Sequence, residues 1–210
     1  MPPDMDSSGA IHPGQSILAP VLPLRDVCLF PEASLALVVT TPSVVKALEI
    51  ARRTGRRILA VARKESPAGL PASRDLHAVG TLADLAEDVL VEGGAHRIEL
   101  DGLQRARVGV VIGLDTFVAE AELLAEGDPG DDWGPAVEAL ARYLHAHADL
   151  RSFLDQQRRS KEPMAWVNLA CQHLPIASTA RQRLLESGAS ERCVKISRGL
   201  GALLRKEHAS

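Results

Sequence analysis

The sequence predicts an α+β protein. A β-rich curled sheet or small barrel with one main helix should occupy residues 18–126, a helical bundle residues 131–205, and an N-terminal tail residues 1–17. Three observations carry this expectation. Short β-branched and apolar runs dominate to about residue 125, and after the turn-forming break Glu126-Gly127-Asp128-Pro129-Gly130 the apolar residues recur at helical spacing. Charge shifts at the same place: residues 1–127 hold 12 basic and 17 acidic side chains, residues 128–210 hold 12 and 10, so −5 gives way to +2. Finally, 210 residues with 46% hydrophobic and 24% charged side chains match a folded protein of one or two domains.

The elements follow in order. Val21-Leu22-Pro23-Leu24 and Leu35-Ala36-Leu37-Val38-Val39 read as strands, separated by Arg25-Asp26 and a turn at Pro31. A helix comes next, because Thr41 can cap it, Pro42 suits a first turn that needs no N–H partner, and Val44, Leu48 and Ala51 share one face. Gly55 ends it. Arg56 to Ala62 is the third strand, and Ser66 to Ser73, with its Pro and Gly, is a surface loop. Ala78 to Val91 runs into Glu92-Gly93-Gly94, a hairpin signal, and Arg97-Ile98-Glu99-Leu100 returns with alternating polarity. The pattern resumes at Ala106 to Val111 and at Thr116 to Leu123, giving about six strands around one helix.

Beyond the break, Val137, Leu140, Ala141 and Leu144 trace one helical stripe and Trp166, Leu169, Ala170 and His173 a second. A third helix runs from Ser178 or Thr179 to Glu186 and a fourth from Ser190 to about Leu204. Such stripes build a core, and a bundle stacked on the barrel is the economical arrangement.

Several function classes are excluded or disfavoured. No apolar run reaches the roughly 20 residues that cross a bilayer, so no membrane span is expected. The acidic opening Met1-Pro2-Pro3-Asp4-Met5-Asp6 is unlike a secretory signal, and the chain reads as cytoplasmic. Cys28, Cys171 and Cys193 are far apart and form no C-x-x-C pair, which predicts buried free thiols. His145 and His147 are about 200° apart on a helix and cannot share a metal. No cofactor or metal is expected.

Four segments then carry a resemblance. Leu22-Pro23-Leu24-Arg25-Asp26-Val27-Cys28-Leu29-Phe30-Pro31 resembles the opening signature of the Lon protease N-terminal domain, and Ile58 to Lys64 resembles its central strand. Val79-Gly80-Thr81-Leu82-Ala83 resembles the strand entry after its variable loop, and Gly102-Leu103-Gln104-Arg105-Ala106-Arg107-Val108 resembles its most recognisable later motif. The likeness is close over residues 18 to 125 and of kind only beyond. It implies a PUA-like pseudo-barrel followed by a helical bundle, in a domain that captures substrates and helps assembly. Two departures stand out: family members often have Gly where this chain has Glu32, and often enter the first helix with charged residues where it has Thr40-Thr41-Pro42-Ser43.

The signature residues Pro23, Leu24, Arg25, Phe30, Pro31, Gly80, Gly102 and Arg105 read as mainly structural. Pro23 belongs at a sheet edge or bulge, Gly80 and Gly102 permit close backbone approach, and Arg25, Arg105 and Arg107 should pair with carboxylates such as Asp26 or Asp101. None of the five lysines follows a glycine, so no G-x-x-x-x-G-K-[ST] phosphate cradle is present, and Ser160-Lys161 is a chance neighbour in a polar linker. The chain is therefore expected to be a non-enzyme that binds unfolded or partner polypeptide through apolar surface between barrel and bundle, as a substrate-recognition or adaptor module, with oligomers open. The alternative is an RNA-binding PUA-like module that uses Arg52, Arg53, Arg56 and Arg57. Those arginines also sit where cations favour a helix C-terminus, and 3% aromatic residues offers few platforms for bases.

Overall fold

The computed structural model describes residues 11–64, 73–113, 115–158 and 162–208. In chain order these form β1 (Ser16–Leu24), β2 (Ser34–Val39), α1 (Pro42–Arg53), β3 (Arg57–Ala62), β4 (Val79–Leu90), β5 (His96–Ile112) and β6 (Val118–Leu123). Five helices follow: α2 (Trp133–Ala146), α3 (Ala148–Gln157), α4 (Pro163–His173), α5 (Ser178–Glu186) and α6 (Ala189–His208). The chain is thus an α+β protein, with the strands first and the bundle second.

The sheet runs in the order β2-β5-β4-β3-β1-β6, and a further β5–β6 pairing closes five of the strands into a ring that leaves β2 outside. β1 lies parallel to β3 and antiparallel to β6, and the other pairings are antiparallel. Alternation sorts the side chains. Val21, Leu59, Val61 and Leu82 point to one cluster, whereas Leu22, Leu24, Ile58 and Ala60 join Val44, Leu48 and Ala51 of α1 in another. Both faces of β3 are therefore buried, which is why it reads as an unbroken apolar run.

Closure depends on β5. It pairs with β2 and β4 through its first half and with β4 and β6 through its second, and its register slips at Leu103 against β4 and between Val108 and Val111 against β6. Each slip bends and twists the strand, so that 17 residues turn a corner of the ring. The expected strands at Arg97 to Leu100 and Ala106 to Val111 are thus one strand. Gly102 sits within it and admits the backbone of the Phe30–Ala33 loop.

Other expectations need adjustment. β1 starts at Ser16, because Ser16 and Ile17 pair with Glu122 and Ala121, so these two residues belong to the sheet and not to a tail. Residues 1–10 of that expected tail, the loop residues 66–72 and Ser160-Lys161 lie outside the described residues. Thr41 occupies the cap position of α1 with extended backbone, but its hydroxyl makes no capping bond. The buried stripe of α2 is Ala136, Ala139, Leu140, Tyr143 and Leu144, with Ala141 exposed. Helix α3 adds an element to the expected bundle; Leu154 is its one fully buried residue, with Leu150 half-buried and Phe153 exposed, so no buried stripe marks it. α6 begins at Ala189 and continues to His208, past the expected limit at 205.

Candidate functional site

The signature loop between β1 and β2 is where barrel and bundle meet. Phe30 is wholly buried and belongs to the core of the bundle, with Cys28 and Ala33, although all three precede the barrel's main helix in sequence. Helix α4 holds this loop by side-chain amides: Gln172 accepts from Phe30 N at 3.0 Å and donates to Ser34 O at 2.8 Å, and Asn168 donates to Pro31 O at 3.1 Å. On α5, Gln182 accepts from the Cys28 thiol at 3.4 Å and donates to Val79 O at 2.9 Å. From the barrel side Thr81 donates to Leu29 O at 2.6 Å. Gly102 exchanges backbone bonds of 2.9 Å with Glu32 and Ala33, and a Cβ at Gly102 would collide with Phe30 O. A Cβ at Gly80 would lie 2.5 Å from Ala60 O in the adjoining strand.

Two arginines lock the other side of the seam. Arg105 of β5 pairs with Glu126 at 2.6 Å and donates to Ala125 O at 2.7 Å and Glu186 O at 3.2 Å. Arg192 of α6, fully buried, pairs with the other Glu126 oxygen and with Asn168, and donates to Leu184 O at 3.0 Å and Ser187 O at 2.8 Å. Its guanidinium also lies 5.5 Å from the Phe30 ring centre. Together they satisfy the carbonyls that the end of α5 leaves without helical partners, with positive charge where the helix dipole is negative. The carboxylate partner of Arg105 is Glu126 and not Asp101, which instead accepts from Ser34 at 2.6 Å. Arg107 pairs with Glu122 at 2.5 Å. Arg25 is exposed and has no carboxylate partner among the described residues. Pro23 lies where β1 has left β6 and pairs with β3 alone, and Leu24 is buried against the α1 cluster. Arg192 escaped sequence reading because an arginine inside a helix is ordinarily a solvated residue.

The Arg52–Arg57 cluster clamps the end of α1 onto β4. Arg52 bonds Asp88 at 2.7 Å and faces His96 Nδ1 at 3.1 Å, while His96 meets Asp88 at 2.7 Å. Arg56 donates to Leu85 O and Ala86 O, and Arg57 pairs with Asp84 at 3.2 Å. Arg53 is exposed.

This packing leaves little room at the seam: the cavity among Cys28, Arg63, His77 and Gln182 measures about 20 Å³. The apolar binding surface expected between barrel and bundle is filled by the loop and its amide partners. An apolar groove of about 440 Å³ opens instead within the bundle, between α5 and α6, lined by Leu174, Ile176, Leu184, Ile196, Leu200 and Leu203. Arg183 and Lys195 stand at its rim, and Gly199 faces it with open space around its Cα.

The buried thiols are not poised as nucleophiles. Burial pushes the Cys28 thiol up to about 11, against the lowering influence of Arg181, and the Cys171 thiol up to about 12, against that of Arg192. Both stay protonated and inert near neutrality. All three cysteines are free and buried, and no group of metal-ligating side chains occurs among the described residues.

Residues 19–200 match the family described as the ATP-dependent protease La (LON) substrate-binding domain. Among curated proteins the chain is similar to the Lon protease of Xanthomonas oryzae pv. oryzae, 33% identical over 180 residues that cover 80% of this chain and 21% of that protein. It is also similar to the Lon protease of Escherichia coli (strain K12), 35% identical over 187 residues that cover 85% of this chain and 24% of that protein. The chain thus spans between a fifth and a quarter of the length of these relatives. Its fold is similar to the N-terminal domain of a Mycobacterium avium complex Lon protease, with a TM-score of 0.70, 18% identity and coverage of 88% of this chain and 98% of that one. The Lon N-terminal domain protein from Xanthomonas campestris also shares it, with a TM-score of 0.59, 20% identity and coverage of 85% and 95%.

Proposed function

The chain belongs to the Lon substrate-binding domain family, and from that premise we propose that it is a non-catalytic module that holds apolar segments of unfolded or partner polypeptides. The observation that carries this reading is the groove of about 440 Å³ between α5 and α6, whose lining is leucine, isoleucine and alanine with cations only at the rim. Burying apolar side chains there removes apolar surface from water on both partners, at roughly 25 cal/mol per Å² before the cost of ordering the peptide. Such a groove selects for hydrophobicity and has no need of a nucleophile or a phosphate cradle.

RNA binding through Arg52, Arg53, Arg56 and Arg57 has less support, because Arg52, Arg56 and Arg57 already spend their donors on β4. Phosphate contacts there would have to displace Asp84 and Asp88 first.

The test is a Gly199→Leu variant. Nothing lies within 4 Å of where its Cβ would be, and leucine is the better helix former, so the variant should fold at least as stably while filling the groove. Binding of a fluorescent, permanently unfolded polypeptide should weaken at least tenfold. Undiminished binding by a folded Gly199→Leu protein would remove the groove from the reading, and binding destroyed by an R52A/R57A pair instead would move it to α1.

A further inference from the structure

Helix α6 separates two grooves of opposite character. On one flank Ile196, Leu200 and Leu203 face the apolar groove beside α5; on the other, Arg198, Gly201, Leu204 and Arg205 face a groove of about 650 Å³ completed by Ala139 and Arg142 of α2. The second groove therefore gathers three guanidinium groups, and among the described residues no carboxylate lines either groove. Arg142 pairs with Glu138 at 4.0 Å on the same helix; both are well exposed, so that pair is weak. In a protein of net charge −3, this is a local concentration of positive charge and not a general property of the surface.

We propose that the two grooves act together, so that the module prefers polypeptides in which an apolar segment is followed or preceded by an acidic cluster. The inference rests on the groove reading given above and names the class of substrate within it. The apolar segment lies along α5 and α6; the acidic cluster meets Arg142, Arg198 and Arg205 on the far side of α6. The exposed ridge of α6 carries the small residues Gly199 and Ala202, over which an extended chain can pass between the longer side chains of Lys195 and Arg198. A helix with its side chains is about 10–12 Å across, which corresponds to roughly four extended residues at about 3.3 Å each. The preferred spacing between apolar and acidic parts is therefore about four residues. A nucleic acid would value the arginines too, but no aromatic side chain lines this groove to stack a base, and the neighbouring groove offers apolar lining that a phosphate backbone cannot use.

The experiment compares three labelled peptides by fluorescence anisotropy. One is a neutral apolar octapeptide, and the others extend it, after a four-residue neutral spacer, with four Glu or four Lys. A single-stranded oligouridine is the fourth probe. At low salt the Glu peptide should bind about tenfold tighter than the neutral one, as expected for three exposed charge pairs, and the Lys peptide more weakly. At 0.5 M salt the Glu advantage should shrink to about twofold or less. An R142Q/R198Q/R205Q variant should lose the advantage yet bind the neutral peptide as before, which also shows that it is folded. Equal binding of neutral and Glu peptides to the unaltered protein would overturn the inference and leave the apolar groove standing. Failure of every peptide to bind would overturn both. Salt-sensitive oligouridine binding that vanishes in the variant, with no Glu preference, would assign the arginines to nucleic acid instead.

Discussion

Arg192 shows how a single side chain can join four parts of a chain. It is fully buried and bonds Glu126 in the connection between barrel and bundle, Asn168 in α4, and the last carbonyls of α5. Arg192→Met fills similar volume but leaves Glu126 with one guanidinium fewer and removes the side-chain donors to Leu184 O and Ser187 O. The expected loss is about 3 kcal/mol or more, read as a lower urea midpoint, whereas Arg142→Ala on the exposed face of α2 should cost less than about 0.5 kcal/mol. Glu32 makes the opposite case. Its φ of 61° lies in the left-handed region that disfavours a side chain. Glu32→Gly should therefore stabilise by about 1 kcal/mol at an unchanged denaturant slope. A midpoint that fell instead would mean that the Glu32 side chain contributes more than its backbone strain costs.

At the level of elements, the signature loop behaves as a plug seated by β5, α4 and α5. Gly102→Ala would push against Phe30 O, and the loop would have to lift by more than the close-packed seam allows, at a cost of about 1–3 kcal/mol. The specific readout is Cys28, buried and bonded to Gln182: alkylation of this thiol in the native state, located by mass spectrometry, should be slow in the unaltered protein and faster in the variant. An unchanged Cys28 rate with an unchanged midpoint would show that the loop seats elsewhere. Much of the fold was legible in the sequence: the strand runs, α1 with Pro42 and Gly55, and the Gly93-Gly94 hairpin. What stayed hidden has physical causes. β5 was split because a bulge and a glycine mask a continuous strand, and α3 has too few buried residues to leave a periodic trace. The amide bonds of the seam join residues more than 100 positions apart, which no local pattern records, and the groove exists only once α5 and α6 have packed side by side.

For the molecule as a whole, burial sets the pH range of stability. His77 and His173 are held below the ordinary imidazole value by desolvation, so below about pH 6.5 the unfolded chain takes up protons that the folded one refuses, and stability falls. Cys28 and Cys171 are pushed up to about 11 and 12 by burial, so above about pH 8.5 the unfolded chain loses protons that the folded one keeps, and stability falls again. Urea midpoints across pH 5 to 10 should trace a dome between these limits, and a Cys171→Ala variant should show a shallower alkaline limb. An alkaline limb unaltered by that change would mean that the thiol titrates alike in both states. The plugged seam has one more consequence, in time. Phe30 meets Gln172 across 142 residues and Cys28 meets Gln182 across 154. At synthesis rates of about 5–20 residues per second, a growing chain exposes its first loop for roughly 7–30 s before its partners on α4 and α5 exist. Through that interval Phe30 and its apolar neighbours are an uncovered surface on a nascent protein, and the barrel that carries them must await the last third of its own chain to be shielded from chaperones and aggregation.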